Sequence, residues 1–116
     1  MIQVTSHMRI FVGIEPIDFR KRLNGTVGIC RTRFEMDPYD GSVFLFRNRS
    51  RTMIRIYCFD GLVEWGCDLR IAKGKFPYWP SSLEPIKKIQ AHELYLLVKG
   101  GNPEIARVQE DWRKIS

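Results

Sequence analysis

Two apolar runs held apart by a short polar stretch constrain this chain more than anything else in it. Ser42–Phe46 and Met53–Phe59 are rich in β-branched and aromatic residues, and Arg47-Asn48-Arg49-Ser50-Arg51-Thr52 between them supplies turn formers. That is the pattern of a β-hairpin. A strand turns alternate side chains to opposite faces, so Ile54, Ile56 and Cys58 share one side while Met53, Arg55, Tyr57 and Phe59 share the other. The aliphatic side is expected to meet the core, and the side carrying Arg55 to meet solvent or a ligand. Arg47, Arg49 and Arg51 recur at every second position, so they project together if strand pairing continues into the tip. Guanidinium forks match phosphate oxygens and base edges, which suits nucleic acid. The same row also reads as a solvated tip that keeps a hairpin soluble.

The flanking segments predict an α+β domain. Met8–Ile14 reads as a first strand ended by Pro16. A helix is expected next, with Asp18 as its N-cap and an apolar stripe of Phe19, Leu23, Val27, Cys30 and Phe34. This stripe is expected to pack on the Ile54-Ile56-Cys58 face in a single core. Arg20, Lys21, Arg22, Arg31 and Arg33 occupy the rest of the helix surface, and Gly25 and Gly28 interrupt it. After the Asp60-Gly61 turn, Leu62–Ile71 reads as a third hairpin-linked strand. Phe76-Pro77-Tyr78-Trp79-Pro80 holds two prolines and is no central strand. Its aromatics either cap the core or stack on bases beside Lys73 and Lys75. Ile86–Ile89 reads as a short edge strand. Ala91, Leu94, Leu97 and Val98 mark a helix ending at Gly100-Gly101, and Ile105, Val108, Trp112 and Ile115 a further one. The order β-α-β-β-β-(β)-α-α gives a small, mainly antiparallel sheet packed by one amphipathic helix, with a C-terminal helical pair.

Charge narrows the choice of partner. The formal net charge is +6 and the sequence pI about 9.5. Between Arg20 and Lys75 stand twelve Lys or Arg against six Asp or Glu, so the excess is central rather than in a tail. Clustered arginine at this pI favours a polyanion. The candidate nucleic-acid contacts are Arg20, Lys21, Arg22, Arg47, Arg49, Arg51, Arg55, Lys73 and Lys75. Cys30, Cys58 and Cys67 lack metal or redox spacing and lie among apolar neighbours, so they read as core thiols of a cytoplasmic protein. No apolar run reaches the ~20 residues of a membrane span.

No catalytic constellation stands out. His7 and His92 sit in unrelated contexts, and phosphate-binding loops, dinucleotide glycine patterns and nucleophile elbows are absent. Asp18, Asp60, Glu64 and Asp68 form a conceivable metal cluster, but a cap, a turn and an exposed strand face account for them better. The chain therefore reads as a non-enzyme, with no cofactor or metal.

The ordered motifs resemble a family. Met8-Arg9-Ile10-Phe11-Val12, Ile17–Gly25, Asp37-Pro38, Phe44–Arg49, Ile54-Arg55-Ile56, Asp60-Gly61, Lys73–Phe76 and Trp79-Pro80 follow one another as in TnpB, the accessory protein encoded beside the transposase in bacterial insertion sequences of the sixty-six class. Eleven residues separate Asp60-Gly61 from Lys73-Gly74, the spacing expected of that family. In the third strand Trp65 and Arg70 keep the family's pattern and its lysine is missing. The resemblance covers 1–101 and implies one accessory-protein domain there; 102–116 has no clear counterpart in the family and reads, from its own apolar stripe, as a helical extension of the same domain. It also implies a part in DNA transposition, with the element ends and the cognate transposase as partners. Two functions stay open: DNA binding through the basic helix start and arginine tip, or an adaptor that docks the transposase without touching DNA.

Overall fold

The structure, a computed structural model, describes residues 8–99. β1 (Ile10–Gly13) leads through α1 (Leu23–Thr32) to β2 (Val43–Arg47); β3 (Met53–Phe59), β4 (Glu64–Arg70), β5 (Ile86–Ile89) and α2 (Ala91–Val98) follow. The five strands form one sheet in the order β4-β3-β2-β1-β5. β2, β3 and β4 are the expected antiparallel meander. β1 and β2 run parallel, because α1 carries the chain back across the sheet before β2 begins. β5 adds antiparallel to the outer side of β1 as the expected edge strand. The helix predicted beyond Gly101 lies outside the described residues. Among the described residues no helix is long and apolar enough to cross a membrane.

The sheet is covered on both faces, which corrects the expected single core. Val43, Phe44, Leu45 and Phe46 are all fully buried, as in strands that have packing partners on either side. Phe44, Phe46 and Tyr57 form one core with Val27, Ile29, Cys30 and Phe34 of α1 and its C-terminal end. Phe34 stacks on Phe46 with ring centres 5.8 Å apart. Val43, Leu45, Ile54 and Cys58 form the other core with Ile10, Val12, Phe76, and Leu94 and Leu97 of α2. The α1 stripe thus packs on the Arg55-Tyr57 face, opposite to the expected one. Aromatic bulk decides this: Phe11, Phe44 and Tyr57 lie in register on that face and give the helix more apolar area to cover.

The expected aromatic cap is real in part. Phe76 is buried and the Trp79 ring N–H donates to the Gly13 carbonyl at 2.9 Å, whereas Tyr78 is 55% exposed. The thiols divide as well. Cys30 and Cys58 are buried, but Cys67 is exposed on the edge strand β4.

Candidate nucleic-acid interface

Arg55 organises one end of the molecule from the inside. It is 6% exposed, and all five of its N–H donors are taken. Nε and Nη2 fork onto the Asp68 carboxylate at 2.8 and 3.0 Å. Nη1 reaches the Lys21 carbonyl at 2.7 Å and Thr26 Oγ1 at 3.1 Å, and Nη2 the Phe19 carbonyl at 3.0 Å. The guanidinium also lies 4.6 Å from the Phe19 ring centre. The expectation that Arg55 faces a ligand is corrected accordingly: its charge and hydrogen bonds are committed to the fold. β3–β4 register had the signal, since pairing outward from the Asp60-Gly61 turn sets Arg55 opposite Asp68.

The same contacts explain why α1 starts late. A helix beginning at Phe19 needs the Phe19 and Lys21 carbonyls for its own ladder, and Arg55 takes both. α1 instead begins at Leu23, with Arg22 in the N-cap position and no side-chain cap. Asp18 does not cap the helix. It accepts the Arg20 amide at 2.9 Å and clasps the Arg20 guanidinium, at 2.9 Å from Nη2. That cation, then its backbone amide, lowers the Asp18 pKa to about 2. The start of α1 passes so close over β4 that a Cβ on Gly66 would stand 2.5 Å from the Leu23 side chain.

Asn48 shapes the hairpin tip. Its Oδ1 accepts the Thr52 and Met53 amides at 2.9 and 3.1 Å, and its Nδ2 donates to Thr52 Oγ1 at 2.9 Å. Strand pairing stops at Arg47 opposite Ile54, so the three tip arginines do not form the expected straight row. Arg47 is half-buried, and its Nη1 donates to the Asn48 and Arg49 carbonyls at 3.3 and 3.4 Å. Burial, then the like charge of Arg51, lowers its pKa. Arg51 bends the tip at a φ of 57° and its carbonyl accepts the Phe76 amide at 2.8 Å. Arg49 is exposed.

Two clefts adjoin this end. One of about 740 Å³ brings Arg20 of the 16–20 segment against Asn48, Arg49 and Ser50 of the tip. The Ile17 amide ties the two segments together by donating to the Arg47 carbonyl at 2.9 Å. The second, about 620 Å³, has Arg22 and Asn24 on its wall. Asp68 borders both. Lys21 is exposed beside them, whereas Lys73 and Lys75, also exposed, line neither cleft.

The four carboxylates weighed as a metal cluster are otherwise engaged. Asp18 holds Arg20, Asp68 holds Arg55, and Glu64 accepts the Tyr57 hydroxyl at 2.8 Å. Asp60 accepts the Trp65 ring N–H and the Leu62 and Val63 amides, which keep its pKa below the ordinary 3.8. Among the described residues no three His, Cys, Asp or Glu side chains are grouped to hold a metal ion.

Comparison with known proteins decides the family. The IS66 Orf2-like family matches residues 8–108. The chain belongs to that family. An IS66 Orf2-like protein has an accessory role in the transposition of an insertion sequence, and its family is not a known catalytic one. The chain is 31% identical over 100 residues to the uncharacterized protein y4jC of Sinorhizobium fredii, covering 86% of this chain and 85% of that one. It is 25% identical over 113 residues to y4hO of the same organism, covering 97% and 96%. No solved structure matches it.

Proposed function

We propose that this IS66 Orf2-like protein serves transposition by binding DNA through the end of the molecule built around Arg55. The observation that carries the proposal is the cleft that Arg20 and Arg49, from segments distant in sequence, line together. Lys21 and Arg22 extend the same basic surface. Arg20 is held by Asp18, but among the described residues the side chains of Lys21, Arg22 and Arg49 make no hydrogen bond or salt bridge, leaving three cations for phosphates. Buried Arg55 fixes the backbone on which Arg20, Lys21 and Arg22 sit, so these groups are presented rigidly and lose little freedom on binding. Arg47 and Arg51 shape the tip, and Lys73 and Lys75 supply long-range attraction beside it.

A second reading, the transposase adaptor, draws on exposed apolar side chains: Leu62 is 87%, Tyr78 55% and Leu83 107% exposed. The test is a pull-down of the cognate transposase with and without its terminal inverted-repeat DNA. DNA-dependent capture, abolished by Arg22→Ala/Arg49→Ala, supports DNA binding. Capture without DNA that survives the double variant supports the adaptor.

A further inference from the structure

The two edges of the sheet differ. β5 is four residues long, follows Pro85 and carries Lys87 and Lys88, the usual guards against edge-to-edge pairing. β4 is seven residues long, unbulged, and contains neither proline nor lysine.

Its hydrogen-bond parity can be read. Ile71 donates to the Thr52 carbonyl at 3.0 Å and Asp60 to the Val63 carbonyl at 3.2 Å, both in the β3–β4 register. Bonded and non-bonded pairs alternate along an antiparallel ladder. Val63, Trp65, Cys67, Leu69 and Ile71 therefore turn their backbone groups toward β3. Glu64, Gly66, Asp68 and Arg70 turn theirs to the free edge.

We propose that β4 is the seam of a two-fold dimer, paired antiparallel with β4 of a second copy about Cys67, to make one ten-stranded sheet. This register places Glu64 opposite Arg70 and Gly66 opposite Asp68, each a pair with its free backbone groups facing. On the other side of the strand Val63 meets Ile71, Trp65 meets Leu69, and Cys67 meets its own counterpart. Every pair but Gly66–Asp68 thus joins opposite charges, apolar partners or the two thiols. Parity allows only even shifts of register. Centring on Gly66 sets Glu64 against Asp68, and centring on Asp68 sets that carboxylate against itself; both are repulsive. The exposure of Cys67 and of Val63, 47% exposed, is then the exposure of an interface awaiting its partner.

The proposal is independent of DNA binding. Sedimentation of the full, reduced chain should show a monomer–dimer equilibrium. Facing thiols at a non-bonded pair lie about 4.5 Å apart at Cα, within disulfide reach. Diamide should therefore join them, taking one hydrogen from each thiol as its N=N bond becomes HN–NH. The product should be a Cys67–Cys67 dimer, absent in Cys67→Ser. Arg70→Glu, with its fold verified by circular dichroism, should raise the dimer dissociation constant about tenfold, because it makes two like-charge pairs by symmetry. Glu64→Arg/Arg70→Glu should restore much of it. A monomer at every concentration overturns the proposal. So does a dimer that forms no Cys67–Cys67 link, or one indifferent to Arg70→Glu.

Discussion

Replacing Arg55 with methionine removes the charge and all five donors while keeping most of the side-chain length. Asp68 loses its ion-pair partner, but at 36% side-chain exposure it can rehydrate, so it adds little to the cost. The Phe19 and Lys21 carbonyls and the Thr26 hydroxyl are the larger loss, since each accepts from a buried charged donor. Hydrogen bonds to charged groups contribute roughly 1.5–3 kcal/mol each, and methionine recovers some packing on Phe19. The expected net loss is about 3–5 kcal/mol, from three such hydrogen bonds less the packing that methionine recovers. That is a large share of the roughly 5–15 kcal/mol of a typical domain. Arg55→Lys keeps the charge but has only three donors for five positions, so a loss of about 2–4 kcal/mol is expected. Urea unfolding with an unchanged m-value gives the number directly. A loss below about 1 kcal/mol for Arg55→Met would refute the claim that this guanidinium anchors residues 19–26 to the sheet.

Two further expectations concern thiols and acid. Cys30 is buried, and burial pushes its pKa up to about 12; burial raises that of Cys58 as well. In dilute, reduced protein one thiol, Cys67, should react quickly with a disulfide reagent at neutral pH and the other two only on unfolding; rapid reaction of all three would contradict the two-core packing. The carboxyls of Asp18 and Asp60 are both held below 3.8 in the folded state. Their contribution is therefore complete well above pH 3.8 and is lost as pH falls through their lower folded values, toward about 2 for Asp18. Asp60→Asn should flatten the loss of urea stability as pH falls below the ordinary carboxylate value of 3.8, and an acid limb identical to that of the parent protein would sink this assignment.

Strand existence is legible in the sequence because β-branched and aromatic runs bounded by turns do not depend on the rest of the fold. Ile86–Ile89 stands out this way from four residues. Which face meets which helix is not legible. Val43–Phe46 is apolar at every position, so period-2 sorting of β3 cannot say that both faces are buried. Arg55 misleads for a related reason: an arginine between aromatics looks like a binding face until its cross-strand partner, Asp68, is identified. Arg20, Lys21, Arg22 and Arg49 are legible as cations, but their convergence depends on the 16–20 segment meeting the Asn48 turn, a contact with no local sequence signal. Cys67 misleads because its apolar neighbours along the chain suggest a core position, whereas the sheet leaves that residue uncovered.

The central claim is that this end of the molecule holds DNA by its phosphates. It is tested most directly by measuring affinity for inverted-repeat DNA across a salt series, for the parent protein and for Arg22→Ala/Arg49→Ala. Both side chains are exposed and neither shapes the tip, so the variant should fold with a stability change within about 0.5 kcal/mol. Weaker binding to all sequences is expected. The log–log salt slope should also be flatter by up to about two, roughly one for each phosphate no longer neutralised. Unchanged affinity and unchanged slope in the folded variant would contradict it.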